Sequence, residues 1–293
     1  MRSIRKLYFK NAAGKRLGLN GESGIYATAL SGFGFSLSHS FADLSRGFFP
    51  AVSDAKDHQN TLAFTIVLTQ NAYAAHQTLV DWLSAAGTLS VVYNPDGKQE
   101  YCRDVTINFL QKGELNAVGW LELPCSFLCT TPWYLPLPTT MRISNASTDD
   151  GKYYEYTYDE NLRYGPDSAA AMSTVIAGSG HIPGALQLTF RGAVVNPQVK
   201  LVGNVSGRTI GACSLEAAFA ETDRLEFSTR YEDSYVRKIS ADGTVTDLLD
   251  DLDLSLNPFF HIPVDEPCTL SVEADANFTG QAELLIYYYF RSV

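Results

Sequence analysis

The side chains from which a reactive centre would be built are five histidines, five cysteines and a scatter of carboxylates. His39, His58, His76, His181 and His261 never fall within ligand spacing of one another, so a zinc site or nucleophile–base pair has no local motif to start from. The cysteines, Cys102, Cys125, Cys129, Cys213 and Cys268, are odd in number and spread along the chain. That argues for reduced thiols used as small apolar packing groups rather than a disulfide framework. Cys125 and Cys129 lie four apart in an apolar stretch that reads as a strand, which puts both on one face. The glycine-rich Gly32-Phe33-Gly34 and Gly178 to Gly184 lack the preceding strand and following helix that would aim backbone amides at a phosphate, and both read as turns. Asp250, Asp251 and Asp253 lack the glycine and terminal glutamate of a helix-loop-helix calcium site and read as a solvated acidic loop. Glu216, Glu221, Asp223, Glu226 and Glu232 cannot be paired across a sugar from sequence. No catalytic, cofactor-binding or metal-binding residue is therefore assigned, and the chain is not expected to be an enzyme.

The elements that would position any site are mostly strands. Leu89, Val91 and Tyr93 precede Asn94-Pro95-Asp96-Gly97, and Val105, Ile107 and Phe109 follow it, so the charged residues between them form the wet end of a hairpin. Alternation also marks Leu62 to Leu68, Leu186 to Phe190, Val199 to Leu201, Leu225 to Thr229 and Tyr235 to Ile239, the last ending at an Asp242-Gly243 turn. Ala282 to Phe290 is apolar on both sides and reads as a central strand. One helix is predicted from Ala72 to Ala86, with Asn71 as N-cap, Gly87 beyond its end, and a buried face of Tyr73, His76, Leu79, Val80 and Leu83. A short helical turn is expected over Ser168 to Thr174. Pro132, Pro136 and Pro138 make Thr130 to Thr140 an extended connector, giving domains at 1–138 and 139–293.

Two further patterns bear on partners. The segment Asn20 to Pro50 is loosened by glycine, serine and alanine but carries Tyr26, Phe33, Phe35, Phe41, Phe48 and Phe49. It reads either as an arm laid on another subunit or as a long loop folded on its own domain. Tyr153, Tyr154, Tyr156, Tyr158 and Tyr164 crowd the start of the second half, where they suit sugar stacking or ordinary strand packing.

The formal net charge is −10, and six of the 22 bases fall in the first sixteen residues, leaving the remainder still more acidic. Such a surface repels phosphate backbones and argues against sequence-specific nucleic-acid binding. No apolar run reaches the roughly twenty residues of a membrane span, so no membrane insertion is expected. No apolar segment follows the basic start to make a secretory signal, and synthesis in the cytoplasm is the expectation.

The order of these features resembles the distal tail protein (Dit) family of long-tailed phages. It runs from the aromatic segment to Phe48-Phe49-Pro50, the strand Leu62 to Leu68, the helix with Trp82-Leu83, and the hairpin. The strand Leu121 to Cys129, closing in Thr130-Thr131-Pro132-Trp133-Tyr134, completes it over about residues 1–140. The resemblance implies a mainly β fold: an N-terminal sandwich-like domain with one helix and a belt around residues 22–48, then a C-terminal galectin-like or jelly-roll sandwich. It further implies a homohexameric ring at the virion tail tip, or in a prophage or tailocin element. Its partners would be the tail tube protein, a tail-associated lysin or tip protein, and receptor-binding proteins. The belt would use Tyr26, Phe33, Phe35, Phe41, Phe48 and Phe49; the net charge by itself suggests an acidic bore through which DNA would slide. Tyr153, Tyr154, Tyr156 and Tyr158 are candidates for glycan or partner contact, and a carbohydrate-binding sandwich protein is the alternative function.

Overall fold

The computed structural model describes residues 5–35, 37–38, 41–44, 47–50, 56–57, 61–142, 172–274 and 281–293. The chain divides into two compact units, Met1–Leu135 with Tyr289–Val293, and Pro136–Tyr288.

The first unit begins with β1 (Lys6–Asn11), β2 (Arg16–Gly18) and β3 (Ile25–Ser31). Four short strands follow: β4 (Leu37–Ser38), β5 (Phe41–Leu44), β6 (Gly47–Pro50) and β7 (Lys56–Asp57), with β4 paired to β7 and β5 to β6. Then come β8 (Thr61–Leu68), α1 (Ala72–Ser84), β9 (Leu89–Asn94), β10 (Tyr101–Leu110), β11 (Leu121–Cys129) and the start of β12 (Trp133–Arg142). Antiparallel pairing runs β2-β1-β9-β10-β11-β8-β3.

That order places β8 four strands from β1. A flat sheet would hold them roughly 19 Å apart at about 4.8 Å per strand. Yet Phe9 of β1 lies with its ring centroid 6.0 Å from Phe64 of β8 and 5.2 Å from Phe127 of β11. The sheet therefore curls until its halves face each other, with these rings between them. Leu121, Leu123, Cys125, Phe127 and Cys129 of β11 all point inward, each at most 3% exposed. Trp82 of α1 stacks on Phe9 from the same side. The helix buries Ala72, Leu79 and Leu83 and packs Ala75 and Trp82 against the core, while Tyr73 faces outward. Its inward stripe is thus rotated from the expected one toward the alanines. Asn71 takes a left-handed conformation (φ 43°) and makes no side-chain cap hydrogen bond, so the helix starts without the expected N-cap. Gly87 has φ 65°, as a chain reversal beyond a helix requires.

The expected connector at Thr130 to Thr140 is largely strand β12, whose first residue, Trp133, is fully buried. Its prolines interrupt the donor row without preventing an extended backbone. The Asn94–Gly97 turn forms as its residue types require: Asn94 accepts from the Gly97 amide, Asp96 from the Lys98 amide, and Gly97 has φ 82°.

The second unit contains β13 (Met172–Ile176), β14 (Ile182–Arg191), β15 (Val194–Val195), β16 (Gln198–Gly203), β17 (Thr209–Ser214) and β18 (Ala218–Phe219). It continues with β19 (Arg224–Arg230), β20 (Asp233–Ile239), β21 (Val245–Asp247), β22 (Cys268–Glu273) and β23 (Gln281–Phe290), the last ending in the first unit. One sheet runs β23-β14-β19-β20-β21 and another β13-β22-β16-β17. Phe260 joins them, with its ring 5.8 Å from Phe227 of β19 and its Cβ against Gly211 of β17, where no other residue would fit. This is a two-layer sandwich with alternating strands in the second sheet, such as β16 and β22. Residues 172–174, expected to be helical, belong to β13: the β-branched run Thr174-Val175-Ile176 pairs with β22.

Truncating Phe127 to alanine should leave a cavity between the sheet halves and cost about 3–5 kcal/mol. Trp82, Trp120 and Trp133 all lie in the first unit, so urea unfolding followed by tryptophan fluorescence reads that unit alone. The midpoint should fall sharply by that probe.

Candidate assembly surface

The chain runs out of β3 and into β8 at one place. β3 pairs with β8 from Ile25↔Leu68 to Ser31↔Ala63, so the outgoing chain at Gly32 lies beside the incoming chain at Thr61. Gly32 has φ 86°, and a Cβ there would collide with the Thr61 carbonyl oxygen. Both stems of the excursion, residues 33–60, are thus pinned at the same end of one strand. Tyr26 belongs to β3 within the sheet, 42% exposed, its ring over Gly21. Phe33 turns inward, its ring stacked 5.4 Å from Trp133 and edge-on 4.9 Å from Tyr93. Phe35, two residues on, is 53% exposed. The backbone of Phe41 lies in β5 and those of Phe48 and Phe49 in β6, but their side chains lie outside the described residues. Tyr153, Tyr154, Tyr156 and Tyr158 also lie outside them.

Behind Phe33 sits a polar cluster that the sequence did not disclose. Arg103 is 5% exposed, stacks its guanidinium 5.5 Å over Trp133, and donates from Nε to the Thr131 carbonyl at 2.9 Å. Burial pulls its pKa below the ordinary guanidinium value. Its Nη1 and the Trp133 Nε1 find no hydrogen-bond acceptor. On the adjacent residue, the Asp104 carboxylate accepts from Ser90 at 2.6 Å and Tyr134 at 2.9 Å, while its amide donates to Thr131 Oγ1. These bonds fix the strand junction on which Phe33 rests.

At the other end of the same strands stands a hairpin that sequence reading passed over. Residues 111–120 join β10 to β11, and Leu121↔Leu68 puts the hairpin at the end of β8 remote from Thr61. Asn116 accepts the Val118 and Trp120 amides at 3.0 Å each, fixing the tip. Val118 is 70% and Trp120 41% exposed, and Leu115 is exposed beside them. Tyr73 ties the base to α1, its ring under Lys112 and its hydroxyl 3.4 Å from Glu114. The missed signal was Trp120 with Val118 and Leu115, apolar residues in a turn with no core to fill.

Chemistry at the remaining candidates is subdued. All five thiols are free and buried. Desolvation pushes Cys102 and Cys268 up to about 11, and Cys125 and Cys213 to about 12. His261 stacks on Tyr231 at 4.1 Å, and burial holds its pKa below the usual imidazole value. Among the described residues, no group of three or more His, Cys, Asp or Glu side chains is placed to hold a metal ion. A cleft of about 330 Å³ in the second unit is lined by Asn196, Gln198, Ser214, Glu216 and Glu273, and has no aromatic side chain in its lining on which a sugar ring would stack.

Residues 6–130 match the family model described as the distal tail protein, N-terminal domain. This part of the chain is similar to the distal tail protein family. The family's matched region runs from β1 through β11 and includes both the excursion and the hairpin. Over 99% of the chain the fold is similar to a protein of the phage P2 baseplate in its activated conformation with Ca, covering 100% of that chain at a TM-score of 0.66 and 14% identity. It is also similar to the Dit protein of phage SPP1, described as a paradigm of the hub adsorption apparatus in phages infecting Gram-positive bacteria. There the TM-score is 0.57 and identity 10%, over 97% of this chain and 98% of that one. No curated protein matches the chain.

Ellman's reagent at pH 8 should find no fast thiol in the native protein and all five in denaturant. Because burial favours the neutral thiol, reactivity in the folded state should appear only as pH climbs past the ordinary thiol range. A rapidly reacting cysteine at pH 8 would contradict the packing described.

Proposed function

We propose that the chain is a structural component of a phage tail tip, whose work is self-assembly and docking rather than catalysis. Six copies close a ring through the first unit and join the tail tube to the tip or tail-associated lysin, after synthesis in the host cytoplasm. The sandwich of the second unit docks receptor-binding components. The observation that carries this reading is the excursion 33–60 within a distal tail domain. It is a long, aromatic-rich stretch held at both stems by one strand end, with Phe35 already facing solvent. A ring of identical subunits needs heterologous contacts that close on themselves, and an arm reaching to the next copy supplies one. Tyr26 and Phe33 flank the arm's root, and Phe35, Phe41, Phe48 and Phe49 are its contact residues. The acidic composition suits a bore through which DNA passes without adhering.

Light scattering and negative-stain imaging of the purified protein should give six-membered rings. Replacing residues 34–60 by a short glycine-serine linker spares β3, β8 and the packed Phe33, and should give folded monomers whose strand signal falls only by the share of β4 to β7. Rings that survive this excision would remove the excursion from the interface; a wild-type protein that is monomeric at every concentration would remove the ring itself.

A further inference from the structure

Arg103 is a formal charge inside the core of the first unit, and its surroundings leave that charge unanswered. β10 turns Arg103 to the same side as Tyr101 and Val105, which pack into the core. Directly across from it in β9 stands Val91, fully buried, and the indole of Trp133 lies beneath its guanidinium. Asp104, the next residue, is turned to the other side of the strand, where Ser90 and Tyr134 hold its carboxylate. Among the described residues Arg103 forms no ion pair, and the one group that acts on it electrostatically is the Cys129 thiol. Burial pushes the pKa of that thiol up, so it stays neutral at pH 7 and supplies no counter-charge. Two donors are left over: Arg103 Nη1 and Trp133 Nε1 are both buried, and neither reaches an acceptor. A buried cation without a counter-ion is strongly unfavourable, and each unmet N–H adds to the cost.

We propose that Arg103 Nη1 and Trp133 Nε1 together bind one small monovalent anion of the halide class, such as chloride. The guanidinium carbon lies 5.5 Å from the indole ring centroid, so a single ion at the ring edge accepts from both donors. Charge separates an ion from water here. A water molecule would satisfy the two N–H groups but leave the guanidinium uncompensated in a low-dielectric surrounding. Shape separates a halide from larger anions. Nε is already committed to the Thr131 carbonyl at 2.9 Å, which removes the side-on fork that a carboxylate or phosphate takes. Arg103 is 5% and Trp133 0% exposed, an enclosure that suits a spherical ion and not an extended anionic ligand. The ion would sit against the indole on which Phe33 stacks, so its binding also steadies the β11–β12 turn. The site is independent of the ring reading above.

The test uses the full chain in urea, followed by tryptophan fluorescence, with chloride exchanged for gluconate at constant ionic strength so that general screening is held fixed. For wild type the urea midpoint should rise with chloride, and beyond saturation each tenfold increase should add a constant increment. Bromide should act in the same way. Trp133→Phe removes one of the two donors and should need at least about tenfold more chloride for the same rise, with Trp82 and Trp120 still reporting on the first unit. Arg103→Met removes the charge from a side chain of similar shape, and its midpoint should not respond to chloride. In crystals of the wild-type protein grown with bromide, the anomalous signal should peak between Arg103 Nη1 and Trp133 Nε1. A wild-type midpoint indifferent to chloride, or an equal response in folded Arg103→Met, would overturn the assignment. So would bromide at exposed positions alone, an adventitious ion only, with water between the two donors. Should either variant misfold, the bromide position in the wild-type protein decides.

Discussion

The contact among Phe9, Phe64 and Phe127 is the constraint from which the first unit follows. Rings on strands several positions apart in one sheet can meet only if the sheet closes over them, and their separations of 5.2–6.0 Å require that closure. Burying aromatic rings contributes more per residue than any other packing available to the chain. Once the inner face is committed to these rings, to Trp82 and to the odd-numbered residues of β11, Glu122, Pro124 and Leu128 on the opposite face are left exposed, while Ser126 between them is buried. The exposure of these side chains is thus a consequence of how the core closes.

The same closure decides where polar groups end up. Arg103 and Asp104 are adjacent in β10 and point to opposite sides of it. The arginine is desolvated over Trp133, while the aspartate is held by hydroxyls from Ser90 and Tyr134. A buried guanidinium with an unsatisfied Nη1 costs stability, which other packing must offset. What it supplies is position: Thr131 is bonded to both residues, so the β11–β12 turn is fixed and Trp133 is available as the platform for Phe33. Rigidity at Phe33 gives the chain a defined point of departure from β3.

Much of this was legible in the sequence, for reasons that differ by element. Strands with one buried face announce themselves by alternation, as β8, β11 and β16 do. The Asn94–Gly97 turn was readable because its residue types bond their own backbone. The helix was placed but not oriented, since Ala72 and Ala75 weigh little in any hydrophobic pattern although small residues are what let a helix approach a sheet closely. β12 was masked by its prolines, which bar a donor and not an extended path. β13 looked helical from the alanines before it, and the long-range pairing to β22 overrode that local preference. Of the candidate site, the aromatic excursion was visible as composition, but Phe33 turning inward and Phe35 outward depends on Trp133, a hundred residues away in sequence. The exposed apolar tip of the 111–120 hairpin was invisible because exposure is a property of the closed sheet.

The placements of titratable and apolar groups also differ from one another. A reactive site needs titratable groups brought together and held at unusual pKa values in a cleft. Here the strong shifts fall on isolated thiols moved toward inertness, and on Tyr8, whose hydroxyl is buried within the Arg16–Glu100 ion pair on the first sheet. What the first unit exposes instead is apolar: Phe35 beyond the Thr61 end of β8, and Val118 and Trp120 in the hairpin at its Leu68 end.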